Sequence, residues 1–182
     1  MSEPTTRDTV PGTELLYHHD AYAKTAEATV VAVDEEARAV ALNRTIVFPG
    51  GGGQPNDTGR LSAADGRMWE IVSAKKAGSV VWHILGGDAA LPGVGEQVAV
   101  SIDWTHRYRL MRTHTALHVL CGTIYRDYGA LVTGGNMGPD KARMDFEMES
   151  FNPDLVAEIE RVANEEIANG RETRVKIVPR EE

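Results

Sequence analysis

The sequence predicts an α+β protein in which a small antiparallel β-barrel precedes a domain built around one long helix. Residues 28 to 102 contain six or seven short β-rich segments at a spacing of roughly ten residues, which is typical of a small barrel. Residues 103 to 128 contain one glycine and no proline, and good helix formers occupy the middle. This stretch therefore predicts a helix of about seven turns.

The barrel prediction depends on segments rich in β-branched and apolar residues, which are residues 29–33, 38–42, 45–48, 68–73, 79–85 and 97–102. Residues 76–78 and 93–95 predict turns between them. We expect residues 1–14 to form a disordered tail, residues 15–102 the barrel domain and residues 103–182 the second domain.

After the long helix, residues 131–146 predict strand structure around a kink at Gly134, Gly135 and Asn136. Asn152 followed by Pro153 predicts the start of a second helix, because these residue types are favoured at the N-cap and the first helical position. Its predicted apolar stripe comprises Leu155, Ile159, Val162, Ala163 and Ile167. Asn169 and Gly170 predict its end, and residues 173–178 predict a last strand.

Composition restricts the class of protein. The 182 residues are 42% hydrophobic and 25% charged, which is ordinary for a globular protein. The single cysteine, Cys121, excludes an internal disulfide and suits a reducing compartment, and no apolar run approaches a membrane span. We therefore expect a cytoplasmic protein without a membrane partner.

The charge distribution argues against a general nucleic-acid binder. The net charge is −8, whereas such proteins normally carry a basic surface, and we expect no DNA partner. Arg107, Arg109 and Arg112 nevertheless lie together near the start of the long helix. They indicate either a solvated helix face or a local contact with RNA.

The long helix carries the strongest chemical signal. At 100° per residue, one predicted core-facing stripe contains Leu110, Leu117, Cys121, Ile124 and Tyr128. His114 and His118 are four residues apart at the edge of this stripe, a spacing that lets two imidazoles reach one zinc ion. The glutamate of metalloprotease helices is replaced by Thr115, which argues against that class. A partly buried histidine pair without a metal is the alternative.

A run of four glycines, residues 50–53, precedes Gln54. A hairpin turn needs only one or two glycines, so the run predicts a wide loop. Such a loop either is a flexible connection or faces the long helix, where its backbone can approach a ligand closely. The run lacks the Lys-Ser/Thr ending of a P-loop, so phosphate binding of that kind is not predicted.

Three motifs resemble one known family. MRTHTALHVL (residues 111–120), with Asp103, Trp104 and Arg107 upstream, resembles the zinc-binding helix of alanyl-tRNA editing domains. FPGGGGQPNDTG (48–59) resembles the family's glycine-rich segment, and GGNMGPDKARMDF (134–146) resembles its G-x-x-x-x-x-R-x-D-F segment. Such domains occur inside alanyl-tRNA synthetases and as free-standing AlaX-type editing proteins. The resemblance covers the chain from about residue 15 to its end.

The resemblance implies an aminoacyl-tRNA deacylase that acts in trans. Its reaction would be hydrolysis of the ester between serine or glycine and the 3′ ribose of alanine tRNA, so the acceptor end of that tRNA is the expected partner. One zinc ion would be held by His114 and His118. Predicted catalytic residues are Gln54, Asp57, Arg143 and Asp145. Predicted substrate-binding residues are Gly51, Gly52, Gly53, Leu117, Gly134, Gly135 and Asn136.

The chain departs from the family at its C-terminal side. Editing domains of this kind complete the zinc site with a C-x-x-x-H motif, and this sequence has none. We therefore expect the editing domain to be truncated at its C-terminus and the zinc site to be incomplete. Cys121 could be a third ligand or a buried structural thiol.

Two other functions stay open. One is a non-catalytic module that binds tRNA or a synthetase, and the other is a metal hydrolase of a different aminoacyl ester. A homodimer stays among the candidate assemblies. Arg143 and Asp145, two apart, could form a plain ion pair or order the floor of an active site.

Overall fold

The computed structural model describes residues 10–148, 150, 152–174, 176 and 178. Six antiparallel strands close into a barrel in the order β2-β3-β7-β6-β5-β8, and a helix, a hairpin and a second helix follow. The strands are β1 (Glu14–Leu15), β2 (Thr25–Asp34), β3 (Ala39–Leu42), β4 (Arg44–Thr45), β5 (Gly59–Ala63), β6 (Met68–Ala77), β7 (Val80–Leu85), β8 (Gln97–Ile102), β9 (Val132–Met137) and β10 (Ala142–Phe146). The helices are α1 (Trp104–Tyr128) and α2 (Pro153–Ala168). This architecture confirms the predicted α+β class.

The barrel interior is apolar because alternate residues of each strand point inward. Val98, Val100 and Ile102 of β8 are buried with a period of two, and Trp69 and Ile71 of β6 follow the same pattern. Full burial of each such side chain contributes about 1.5–3 kcal/mol. The barrel is therefore the main hydrophobic core of the molecule.

One barrel strand was not predicted, and one predicted strand is wrong. β5 was not predicted because its residues, GRLSA, are not rich in β-branched and apolar types, and only Leu61 among them is fully buried. Gly59 is needed there, since a Cβ atom would approach the carbonyl oxygen of Ser101 to 2.1 Å. Residues 45–48 do not form a barrel strand. Only Arg44–Thr45 is extended, and it pairs in parallel with Glu14–Leu15.

The predicted tail extends too far into the chain. Residues 1–9 lie outside the described residues, but Thr13 is buried and its hydroxyl donates to the carbonyl of Leu42 at 2.9 Å. Glu14 belongs to β1. The last barrel strand ends at Ile102 and α1 begins two residues later, while the division into two domains stays a prediction.

Helix α1 has defined ends. Asp103 is the N-cap and accepts a hydrogen bond from the amide of His106 at 3.0 Å, and Gly129 ends the helix in the left-handed region at φ 68°. The predicted core stripe is only partly correct. Leu110 and Ile124 are buried, Leu117 and Cys121 are half-buried, and Tyr128 is exposed.

The elements after α1 form a layer with a smaller apolar core than that of the barrel. The predicted strand structure in residues 131–146 is confirmed as the β9–β10 hairpin, whose pairing shifts register beside Gly134; Gly134, Gly135 and Asn136 lie inside β9, and the turn comes after Met137. Similarly, residues 76 and 77 belong to β6, and the turn follows at Gly78. Helix α2 begins as predicted, with the Asn152 side chain accepting from the amide of Leu155 at 2.8 Å.

The apolar stripe of α2 is shorter than predicted, because Ile159 is buried whereas Ile167 is exposed. The predicted last strand includes residues 175 and 177, which lie outside the described residues. Within the part of the chain that the structure describes, no helix is long and apolar enough to cross a membrane.

Candidate active site

Three distant segments of the chain enclose a cavity of about 300 Å³. Helix α1 contributes His114, Leu117, His118 and Cys121. The glycine-rich turn contributes Gly52 and Gly53. The β9–β10 hairpin contributes Val132, Gly135, Asn136, Met137 and Met144. The cavity therefore joins the three motifs that the sequence singles out.

The glycine run forms a tight turn and not the predicted wide loop. Gly51 and Gln54 exchange two backbone hydrogen bonds of 3.0 Å, and Gly52 and Gly53 between them have φ angles of 60° and 84°. Positive φ at both central residues is the geometry that favours glycine in a two-residue turn. The amide of Met137 donates to the carbonyl of Gly53 at 3.3 Å, so the turn contacts β9 directly.

The two histidines lie side by side at the cavity. Their ring centroids are 4.9 Å apart and the ring planes differ by 16°. The Nδ1 atom of His114 lies 2.7 Å from the amide oxygen Oε1 of Gln54. Because an amide oxygen only accepts, Nδ1 carries the proton and Nε2 keeps its lone pair. The expectation that the glycine turn faces this helix is confirmed by that contact.

The electrostatics favour neutral imidazole. Partial burial lowers the pKa of His114 below its ordinary value, and the neighbouring His118 lowers it further. A neutral ring whose Nδ1–H is held by a second group is the usual state of a metal-ligating histidine. His114 and His118 therefore fit two positions of a zinc site by donor type and orientation.

The described residues do not supply a third protein ligand. Among them, no three His, Cys, Asp or Glu side chains lie close enough to share one metal ion. Cys121 borders the cavity and is half-buried, so it is neither the predicted buried structural thiol nor part of a three-ligand cluster with the histidines. Asp103 caps α1 and Asp145 pairs with Arg143, so neither orients a histidine ring.

Asp57 lies beneath the turn and not in the cavity. It is fully buried and forms an ion pair with Arg107 of α1, whose Nε donates to Oδ1 at 2.9 Å. The amide of Phe48 donates to Oδ2 at 2.6 Å, while Arg107 also donates to the carbonyls of Ile46 and Ala21. The predicted catalytic role of Asp57 is not supported by this position. The pair instead clamps the base of the glycine segment to α1.

Arg143 and Asp145 form the plain ion pair, with Nε 2.8 Å from Oδ1; the Arg143 side chain is exposed and the Asp145 side chain is half-buried. Met144 between them borders the cavity, so on β10 its two neighbours point to the opposite face. Gly134 packs against the Asp145 carboxylate. Contact of this pair with a substrate in the cavity is therefore not supported.

The predicted basic group at the start of α1 is dispersed. Arg107 is buried, Arg109 forms an ion pair with Asp140, and Arg112 is exposed. Sequence reasoning also missed three apolar lining residues of the hairpin, Val132, Met137 and Met144. The sequence does indicate the position of Met144. It lies between Arg143 and Asp145, and alternation along a strand turns an apolar residue between two charged ones to the opposite face.

Comparison with known proteins indicates the family of this chain. Residues 9–106 match the family described as tRNA synthetases class II (A). The chain is 40% identical over 173 residues to the alanyl-tRNA editing protein AlaX-M of Methanosarcina barkeri, covering 93% of this chain and 71% of the relative. AlaX-M of Saccharolobus solfataricus is also 40% identical, with 93% and 70% covered. The alanine–tRNA ligase of Ignicoccus hospitalis is 37% identical, with 94% of this chain but 19% of the ligase covered.

The barrel, the glycine turn and the paired histidines thus define an editing domain of the alanyl-tRNA synthetase type. The chain belongs to the AlaX-type family of alanyl-tRNA editing proteins, which are aminoacyl-tRNA deacylases.

Proposed function

We propose that this chain hydrolyses the ester bond of alanine tRNA that carries serine or glycine, and that it acts in trans. The observation that carries the proposal is the convergence of His114 and His118 on one cavity, with Gln54 of the barrel segment bound to His114. Identity to editing proteins over nearly the whole chain supports the same reaction class.

The cavity suits a small aminoacyl group. Its volume of about 300 Å³ lies at the lower end for small-molecule sites. Three glycines, Gly52, Gly53 and Gly135, border it and leave backbone groups accessible where side chains would fill the space. Leu117 supplies an apolar wall from α1. A serine or glycine ester with part of the terminal ribose fits this description better than a large amino acid does.

We further propose that one zinc ion is held by Nε2 of His114 and by the imidazole of His118, with water or other groups in the remaining positions. Zinc would supply Lewis acidity and would lower the pKa of a bound water. The roles of this chain's own residues follow from their contacts. Gln54 fixes the ring of His114, and the Asp57–Arg107 pair holds the segment that carries Gln54.

The remaining site predictions take different positions in this proposal. Gly51, Gly52 and Gly53 shape the turn, and Gly135 and Asn136 border the cavity in which the aminoacyl group would bind. Gly134 lies beside the Arg143–Asp145 pair, for which a structural role in the hairpin is better supported than a catalytic one. The cytoplasmic location and a homodimer stay predictions.

Deacylation assays test the proposal. The zinc-loaded protein should release serine or glycine from alanine tRNA and spare the correctly charged Ala-tRNA, and His114→Ala should abolish the release. His106→Ala, in the first turn of the same helix and outside the cavity, is the matched control and should retain activity. If the zinc-loaded protein left alanine tRNA charged with serine, with glycine and with alanine equally intact, the proposal would be contradicted.

Two further comparisons separate the alternatives. A binding module would retain tRNA affinity while leaving every ester intact. A hydrolase of a different aminoacyl ester would cleave a simple seryl ester as efficiently as the seryl ester of tRNA. Added chelator should stop release by the wild type if zinc supports the reaction, and restored zinc should return it.

A further inference from the structure

Three aromatic rings form an exposed group where β2 and α1 begin. The Trp104 ring lies between those of Tyr22 and Tyr108, with centroid distances of 5.6 and 5.7 Å and interplanar angles of 46° and 28°. Tyr22 is 63% exposed and Tyr108 is 43% exposed. Trp104 packs against the barrel core and anchors the group. We call Tyr22, Trp104 and Tyr108 the aromatic patch.

Two cations accompany the aromatic patch. The Lys24 ammonium lies 4.8 Å from the Trp104 ring centroid, and Arg112 follows Tyr108 by one helical turn. Within the described part of the chain, neither cation forms an ion pair with a carboxylate. Although the chain has a net charge of −8, this surface therefore presents two cations beside exposed rings. Such a combination favours a partner that offers both planar rings and negative charge.

Two neighbouring cavities lie between the aromatic patch and His118. A cavity of about 320 Å³ beside Tyr22, Tyr108 and Arg112 shares Thr115 with a second cavity of about 500 Å³, which His118 borders. Tyr108 precedes His118 by ten residues, or about 15 Å of helix. This distance corresponds to about four stacked nucleotides. The single-stranded 3′ end of a tRNA has this length.

We propose that the aromatic patch binds the single-stranded 3′ end of the tRNA substrate. Bases would stack on Tyr22 and Tyr108, and Lys24 and Arg112 would neutralise adjacent phosphates. Aromatic stacking tolerates any base because every base has a π face, and basic groups beside the rings follow the backbone. The inference rests on the proposed function, for which it supplies the surface that positions the ester near His118.

Ring deletion is the direct test. Tyr22→Ala and Tyr108→Ala should each weaken binding of uncharged tRNA, and of a short single-stranded RNA, by about tenfold. Tyr22→Phe and Tyr108→Phe keep the rings and should bind RNA about as tightly as the wild type, and so about tenfold more tightly than the alanine variants. Tyr125→Ala is the matched control, because Tyr125 is an exposed tyrosine of α1 outside the patch. Its affinity for RNA should equal that of the wild type.

Kinetics separate this inference from the proposed function. For the double alanine variant, the ratio of kcat/KM on Ser-tRNA to kcat/KM on seryl-adenosine should fall about a hundredfold, mainly through KM. Replacing Lys24 and Arg112 by Met should reduce the slope of log affinity against log salt by about 0.7 for each charge.

The outcomes are distinct. Wild-type affinity for both RNAs in the alanine variants would overturn the inference and assign the aromatic patch to packing against protein. Loss of RNA affinity in those variants, with a wild type that cleaves neither ester, would support the patch and contradict the proposed deacylase. A wild type that cleaves Ser-tRNA, with an unchanged tRNA-to-adenosine ratio in the double variant, would support the deacylase and overturn the inference.

Discussion

The barrel and the helical layer that follows it differ in what holds them together. Among the described residues, the barrel core contains fifteen buried residues in one cluster, whereas the cluster between α1 and α2 contains three, Ile124, Ala130 and Ile159. Most of the apolar surface that folding removes from water therefore belongs to the barrel. The cavity lies between the two, where the well-packed region meets the lightly packed one.

The two regions are joined by polar links near the site. The Asp57–Arg107 pair, the Gln54–His114 contact and the Met137–Gly53 backbone bond connect α1 and the hairpin to the glycine segment. Regions with few buried apolar contacts open locally at lower free energy than a closed core does. We infer that the barrel fixes one wall of the site and that these links align the other wall with it.

The largest effect is expected from the buried ion pair between Asp57 and Arg107, which we call the clamp between the regions. Asp57→Ala leaves the buried Arg107 without its carboxylate, and loss of one partner of a buried pair costs about 3–5 kcal/mol of unfolding free energy. Glu158→Ala, which removes an exposed carboxylate paired with Arg161, should leave the unfolding free energy almost unchanged. Urea unfolding of both variants measures the difference. A cost for Asp57→Ala equal to that for Glu158→Ala would show that the clamp contributes little.

A second pair of variants compares the two cores. Leu61→Ala removes a fully buried side chain from the closed barrel, which cannot collapse around the cavity, and should cost about 4 kcal/mol. Ile159→Ala opens a smaller cluster near the surface that can relax, and should cost about 2 kcal/mol. Hydrogen exchange should quicken throughout the barrel in the first variant and only in α1 and α2 in the second. Equal costs would mean that the helical layer is as tightly packed as the barrel.

The third effect depends on pH and belongs to the barrel alone. His83 is fully buried, Nδ1 donates to the carbonyl of Val40 at 3.2 Å, and Nε2 lies 2.8 Å from the Thr45 hydroxyl. Burial lowers the pKa of His83 to about 4 from an ordinary value of 6.5. The unfolded chain therefore takes up a proton before the folded chain does. The contribution of neutral His83 to the unfolding free energy is fully present above pH 6.5. It is lost as the pH falls to 4, by at most about 3 kcal/mol.

Unfolding free energies of the wild type and of His83→Gln between pH 7 and pH 4 check this expectation. The slope against pH should be smaller in the variant, because glutamine does not titrate. His19→Gln, at an exposed histidine, is the control for loss of an imidazole outside the core. Parallel curves for wild type and His83→Gln would contradict the assignment of the pH dependence to this residue.

The smallest effect is expected at the contact between the regions inside the site. Gln54→Ala removes one hydrogen bond to His114, worth about 1 kcal/mol, so kcat/KM on mischarged tRNA should fall about fivefold. Stability should hardly change, since Gln54 is not part of either core. Gln54→Glu keeps an acceptor for Nδ1 and should recover part of the loss. A fall in melting temperature as large as that of Ile159→Ala would instead make Gln54 a packing residue.

Patterns within single elements were predictable from the sequence. Uninterrupted helix formers predicted α1 to within one residue at its start, and Asn152 with Pro153 predicted the start of α2. The period-two pattern predicted most barrel strands but missed β5, where one residue in five is fully buried. The glycine run was assigned to the correct side of the molecule with the wrong conformation, because composition does not specify which residues close a turn.

The sequence by itself determined the fold class, the two helices, the paired histidines at one helical face and, through its motifs, the family. These depend on local periodicity, capping chemistry and residue identity, which are properties of neighbouring residues. Only the tertiary structure decided that Asp57 forms an ion pair with Arg107, 50 residues away, and that Gln54 forms a hydrogen bond with His114, 60 residues away. Pairings at such separations follow from barrel closure and the docking of α1 upon it, since no local pattern distinguishes a buried carboxylate from a catalytic one.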